Sequence, residues 1–245
     1  MEREPFIVAH RGLSARFPEN TLISFEKALE LPVDAIEFDL HPTRDGKIVI
    51  SHDDQLGRCC NGAGPLHDLT LAELKELDFG AWKAPEFAGT RIPEFKDLLD
   101  LVDRKRPELF LCVELKENDR ACAEAILTEL KRRGRLHNCS IISFHPDMLR
   151  FADAFEPGME IHGFEPKVEL SPEEEKRYFG MLRRIGINQK KNSAEKVAKY
   201  HAMGIRVDTW APDTPEEFAT AMSIGVDFIT TNAADVITRA AGRIK

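Results

Sequence analysis

The sequence predicts an α/β fold, a closed (β/α)8 TIM barrel carrying a small inserted segment after a hairpin that follows the second strand. Three observations lead there. Eight short apolar runs count as parallel strands, each with a stretch of helical periodicity to follow. The length, 245 residues, suits a barrel made as one domain, here residues 1–245 with an insertion at about 54–93. No GxGxxG or GxxxxGK(S/T) pattern supports an open nucleotide-binding sheet instead.

Phe6-Ile7-Val8-Ala9-His10 reads as a buried strand whose polar end runs on into Arg11-Gly12. Pro18-Glu19-Asn20-Thr21 precedes Leu22, Phe25, Ala28 and Leu29 at helical spacing, so Asn20 or Thr21 should cap a helix. In the second strand Ile36, Phe38 and Leu40 alternate with Glu37 and Asp39, which sets the two carboxylates side by side on one face. Asp45-Gly46 is a turn signal, and the residues between Asp39 and Lys47 are too few for a parallel crossover. Lys47 to Asp53 should therefore return as a hairpin that brings His52 back near the level of Asp39. From Asp54 to about Arg91 the pattern loosens around a short helix, Thr70 to Leu77, as in a lid or binding loop.

Beyond Pro93 the alternation is regular. Helices are expected at 94–102, 119–133, 146–155, 172–184, 193–203, 215–223 and 233–241. Strands are expected at 109–115, 139–144, 159–164, 185–188, 205–210 and 226–230.

Composition narrows the function classes. With 42% hydrophobic and 31% charged residues the chain reads as an ordinary globular protein. Its net charge of -8 argues against nucleic acid or an anionic membrane surface as the bulk partner, so an anionic substrate would need local positive charge. The N-terminal stretch has no signal-peptide pattern and no run of 18 apolar residues occurs, which leads us to expect a cytoplasmic protein without integral membrane association. The five cysteines are odd in number and lack CxxC spacing, consistent with reduced thiols. Adjacent Cys59 and Cys60 near His52 and His67 make poor geometry for a closed zinc site.

In a barrel the functional groups lie at the C-terminal strand ends, and the polar residues collect there. His10 and Arg11 end the first strand, and Glu37 and Asp39 the second. On the third barrel strand Phe110, Cys112, Glu114 and Lys116 share a face, so Glu114 follows an apolar stripe into the mouth and can supply a third carboxylate. Paired carboxylates need a cation, a shared proton or a neighbouring Arg or Lys, and a hard divalent ion suits all-oxygen ligands best. A set of two histidines, three carboxylates, an arginine and a lysine supports phosphodiester cleavage. The cation would sit on Glu37, Asp39 and Glu114, Arg11 and Lys116 would clamp phosphate, and His10 and His52 would act as general acid and base.

His10-Arg11-Gly12, Pro18-Glu19-Asn20-Thr21, Glu37-x-Asp39, Thr43-Arg44-Asp45-Gly46, His52-Asp53, Asp68-Leu69-Thr70, Glu114-x-Lys116, Ser143-Phe144 and Trp210 together resemble the glycerophosphodiester phosphodiesterase family, in order and over essentially the whole chain. The resemblance implies hydrolysis of a small-molecule glycerophosphodiester to an alcohol and sn-glycerol 3-phosphate. It also implies one divalent cation, Ca2+ or Mg2+, on Glu37, Asp39 and Glu114, and acid–base roles for His10 and His52. Trp210 and Phe144 are candidates for an apolar substrate wall.

The chain departs from the family pattern in three places. It reads Trp210-Ala211-Pro212-Asp213 where the family often has Trp-Thr-Val-Asn, Thr231-Asn232 where the family has Thr-Asp, and Gly163-Phe164-Glu165-Pro166 in place of a small apolar strand end. We expect these positions on the side of the barrel away from the cation ligands, near the alcohol or glycerol pocket. Two alternatives share the site: a lyase forming a cyclic phosphate, and a non-catalytic barrel that binds phosphoglycerol ligands. A metal-dependent amidohydrolase would show His-x-His at the first strand, where Arg11 and Gly12 stand instead.

Overall fold

In the computed structural model, which describes residues 4–244, eight parallel strands close into a barrel. Strand β1 (Phe6–His10) leads to helix α1 (Leu22–Leu29), capped by the Thr21 side chain, and then to β2 (Ala35–Pro42). Short β3 (Ile48–Ile50) pairs antiparallel with β2, so the expected hairpin forms, with Leu40 opposite Ile50. The amide of Ser51 donates to the carbonyl of Asp39, which fixes the level to which His52 returns.

The segment after the hairpin holds a two-stranded ribbon, β4 (Gln55–Leu56) and β5 (Gly64–Pro65), and helix α2 (Leu71–Glu76). A reciprocal capping box between Thr70 and Glu73 starts α2. Cys60, Leu66, Leu74, Phe79 and Ile92 bury a small core of their own against Val49.

Helix α3 (Phe95–Lys105) returns to the barrel, and strands β6 (Phe110–Leu115), β7 (Cys139–Ile142), β8 (Glu160–Phe164), β9 (Arg184–Asn188), β10 (Arg206–Trp210) and β11 (Phe228–Thr231) complete it. Helices α4 (Arg120–Arg132), α5 (Pro146–Phe155), α6 (Pro172–Met181), α7 (Ala194–Ala202), α8 (Pro215–Ser223) and α9 (Ala234–Ala240) lie between and after them. β1 pairs with both β2 and β11, which closes the ring.

Strand alternation separates two interiors. Ile7, Ile36, Phe38, Leu111, Ile141, Ile161, Ile185 and Ile229 face outward and pack under the helices as the main core. Val8, Ala35, Cys112 and Ile142 face the barrel axis with Phe6, Phe110 and Phe164 around them. At the base of the axis sits Arg184. The 172–184 helix expected from sequence stops at Met181, and Arg184 instead opens β9 with 1% of its surface exposed. Its guanidinium lies 3.5 Å from the Phe228 ring centre and pairs with Glu160. Aromatic faces and a carboxylate make the charge tolerable there, and strand pairing with His162 and Arg206 holds the residue extended.

One glycine is required by the local path. Gly12 has φ +83°, and a Cβ there would come within 2.5 Å of Ser24 Oγ, so the turn after β1 passes hard against α1. Among the described residues the five cysteines are free, and no helix is long and apolar enough to cross a membrane.

Phe38 is fully buried and packs on Phe25 of α1 and Phe95 of α3. Phe38→Ala should cost about 3–5 kcal/mol by removing a packed ring. Urea unfolding followed by circular dichroism measures it, and a loss below about 1 kcal/mol would show that the β2–helix interface repacks.

Candidate active site

Parallel pairing sets His10 beside Glu37 and Asp39 beside Glu114, so the polar ends of three neighbouring strands meet at the barrel mouth. Glu37, Asp39 and Glu114 are all buried, and each offers a carboxylate oxygen within 4.8 Å of the others. Two cations reach in among them. Arg11 Nε lies 3.3 Å from Asp39 Oδ2, while its backbone N–H donates to Glu37 Oε2 at 3.1 Å. Lys116 Nζ lies 2.9 Å from Glu114 Oε1 and 3.3 Å from Asp39 Oδ1. Asn20 Nδ2 adds a hydrogen bond to Asp39 Oδ2 at 2.8 Å.

The three acids consequently behave differently. Burial alone would raise the Asp39 carboxyl, but Arg11 and Lys116 overcome it and hold Asp39 below the usual carboxylate range. Burial, then the charges of Asp39 and Glu114, push Glu37 well above its ordinary value. Burial and the Asp39 charge raise Glu114 to about 7 against the pull of Lys116. Glu37 Oε1 is buried without a hydrogen-bond partner among the described residues. An all-oxygen cluster with an unused buried acceptor fits a hard divalent cation.

Each histidine is aimed by a partner. His10 Nδ1 lies 2.7 Å from Asn232 Oδ1, and Asn232 Nδ2 donates to Asp213 Oδ2 at 2.8 Å. A carboxylate only accepts, so the Asn232 amide must present its oxygen to His10, which puts the proton on Nδ1 and leaves Nε2 open. His10 Nε2 stands 3.8 Å from Glu37 Oε2. Burial and the Arg11 charge lower the His10 imidazole to about 4, against the opposing pull of Asp39.

His52 Nδ1 contacts Asp53 Oδ1 at 2.6 Å, again fixing Nδ1–H and freeing Nε2. Burial is the first cause of its lowered pKa, and Asp39 opposes the shift. The Asp53 carboxylate is held by Arg58, which also forks onto Glu19, and Glu19 accepts from Arg11 Nη1 at 2.8 Å. Through this relay the segment after the hairpin reaches both His52 and Arg11.

A cavity opens over these groups. His10, Arg11, Glu37, His52, Glu114 and Lys116 line one side of it. Phe144, Phe164 and Trp210 line the other, Phe144 stacked on Phe164 at 3.7 Å and Trp210 edge-on to Phe164. The structure thus brings all nine sequence-predicted residues to this mouth, and Asp39, paired with Arg11 and Lys116, is the one that does not line the cavity.

Sequence reading missed several neighbours. Asn232 was expected away from the cation ligands, yet it orients His10, because pairing of β1 with β11 brings the two chain ends together. The Thr231-Asn232 departure therefore bears on an imidazole rather than on a distant pocket. Glu19, Arg58 and Asp213 carried no signal beyond lying near motif residues. His162, Asp208 and Thr230 also line the cavity, and only the inward phase of their strands could have pointed to them.

The family model described as the glycerophosphoryl diester phosphodiesterase family matches residues 10–236 of the chain. The glycerophosphodiester phosphodiesterase of Caldanaerobacter subterraneus subsp. tengcongensis is 29% identical over 92% of this chain and 93% of its own. YhdW of Bacillus subtilis is 30% identical over 95% of this chain and 96% of its own. A solved Oleispira antarctica phosphodiesterase, in complex with the product sn-glycerol-3-phosphate, superposes with a TM-score of 0.88 at 26% identity and 97% coverage of each chain.

The raised Glu114 carboxyl makes a test of this electrostatic picture. A folded-state value of about 7 against an ordinary 4.5 means the folded protein holds the extra proton in that window. Glu114 thus contributes stability below about pH 4.5 that is lost as pH rises through 7. In chelator, Glu114→Gln should be more stable than the parent at pH 8, and the difference should vanish near pH 4.5. Urea unfolding at both pH values measures it; an equal difference at both would mean Glu114 is not raised.

Proposed function

This chain belongs to the glycerophosphoryl diester phosphodiesterase family, whose members are phosphoric diester hydrolases, and from that premise we propose how its own residues carry the reaction. It cleaves glycerophosphodiesters to an alcohol and sn-glycerol 3-phosphate, the product named in the Oleispira complex. The observation that carries the reading is the convergence at one mouth of an acidic cluster, two cationic side chains and two imidazoles with free Nε2 atoms.

Glu37, Asp39 and Glu114 would hold the divalent cation, Ca2+ or Mg2+, which when bound supplies Lewis-acid neutralisation of phosphate charge. Arg11, with a planar fork, and Lys116, as a point charge, bind the non-bridging oxygens and hold the diester over the carboxylates. His10 is the general base: its neutral imidazole takes a proton from the attacking oxygen at Nε2, with Asn232 holding Nδ1–H. His52 is the general acid: the Asp53 carboxylate stabilises its protonated form, and Nε2–H gives its proton to the departing alkoxide. Phosphorus NMR of early product separates water attack from attack by a glycerol hydroxyl, which passes through a cyclic phosphate.

Two outcomes test this assignment. His52→Ala should lower kcat by about 10²- to 10⁴-fold on a substrate with an alkyl leaving group, and far less on one that releases 4-nitrophenolate, which needs no proton. Equal losses on both would remove His52 from the acid role. Exhaustive chelation should abolish turnover and either Ca2+ or Mg2+ restore it; calorimetry near pH 6.5 in two buffers should show proton release on cation binding, because Glu37 and Glu114 are raised. Full activity in chelator would refute the cation-dependent reading.

A further inference from the structure

One layer below the mouth, the cavity floor carries a polar group that the reaction above does not use. His162 on β8 is 2% exposed, and neither Nδ1 nor Nε2 has a hydrogen-bond partner among the described residues. A buried imidazole with both nitrogens unsatisfied is costly, and such a group is rarely left without a partner. It lines the cavity with Asp208 of β10 and Thr230 of β11, and Asp208 accepts from Thr230 Oγ1 at 2.8 Å. His162 Nε2 lies 3.9 Å from Asp208 Oδ2, too far for a direct bond. An oxygen about 2.8 Å from each would bridge them.

The surroundings are shaped to keep this group where it is. A Cβ on Gly186 of β9 would come within 2.9 Å of His162 Nε2 and 2.7 Å of the Phe164 ring, so the glycine vacates the room that both side chains occupy. Burial, with the charges of Arg184 and Arg206, keeps the imidazole neutral, leaving it one donor and one acceptor. A hydroxyl oxygen can accept from Nε2–H and donate its own proton to the Asp208 carboxylate, joining the two.

We propose that His162, with Asp208 and Thr230, forms a hydroxyl-binding floor that receives the glycerol arm of the substrate while the alcohol leaves past Phe144 at the open mouth. The inference rests on the glycerophosphodiesterase reading above and assigns the direction in which the diester lies. With the phosphate at Arg11 and Lys116, one ester arm descends toward the buried polar floor and the other passes the aromatic wall. The floor side chains of His162, Asp208 and Thr230 are all buried, a fixed polar surface suited to a constant three-carbon diol. The wall ends at Phe144, 44% exposed, and can pass alcohols of varied size. His162 is a specificity residue here, touching substrate carbon-chain hydroxyls rather than phosphorus.

The test is direct binding to the cation-loaded protein by calorimetry, with sn-glycerol 3-phosphate and its deoxy isostere n-propyl phosphate as probes. The parent should prefer glycerol 3-phosphate. His162→Leu should weaken glycerol 3-phosphate about 10- to 100-fold, leave n-propyl phosphate within about twofold, and melt no lower than the parent. His162→Gln, which keeps a donor and an acceptor, should recover most of the preference and gives a second test should the leucine variant not fold. Equal weakening of both probes, or no change in either, overturns the floor while leaving the phosphodiesterase reading intact. A parent that binds neither probe and hydrolyses no glycerophosphodiester overturns both.

Discussion

Like-charge repulsion among Glu37, Asp39 and Glu114 is the constraint around which the mouth of this barrel is arranged. Three carboxylates taken out of water within 4.8 Å of one another raise each other's proton affinity unless positive charge is brought to them. Arg11 and Lys116 answer part of that demand, chiefly at Asp39. The remainder shows as raised Glu37 and Glu114, carboxyls that keep protons a hard cation would displace. Two imidazoles in different settings stand on the same rim. Burial lowers both imidazoles, joined by the Arg11 charge at His10, while Asp39 and Asp53 oppose the shift at the more open His52.

Along the axis the barrel is graded. At the base Arg184 is enclosed by the Phe228, Phe110 and Phe6 rings and tied to Glu160, which fills the interior with a rigid plug. In the middle, Val8, Cys112 and Ile142 share a layer with the polar group of His162, Asp208 and Thr230. At the top stand the charged groups and the aromatic wall. Strand alternation assigns each residue to a layer, and register assigns its neighbours, so a shift of one residue in any pairing would exchange interior for helix-facing side chains.

The eight-strand count, the hairpin that returns His52 and the inward carboxylates were legible because each depends on local alternation or on a turn dipeptide. Thr21 as a cap was legible from its chemistry, although its neighbour Asn20 turned out to serve Asp39. What escaped depends on closure in three dimensions. Asn232 lies 222 positions from the ring it orients, and no periodicity links them. Arg58 reaches Glu19 across 39 positions from a loosely patterned segment. Arg184 reads as the end of a charged helix because its preference for charge is satisfied by an environment, aromatic faces around a carboxylate, that sequence alone does not display. His162 is silent for the same reason, since a lone histidine in an apolar run has no motif.

The seam between β1 and β11 has a consequence for biosynthesis. The first strand supplies His10 and the last brings in Asn232, so the ring is aimed only after the ribosome has released the final strand and it has docked beside the first. Glu37, Asp39 and Glu114 meet through the pairing of β2 with β6 alone, whereas the His10 ring takes its partner from across the closing seam. Ring closure, not the assembly of either half, therefore sets which nitrogen of this imidazole carries its hydrogen.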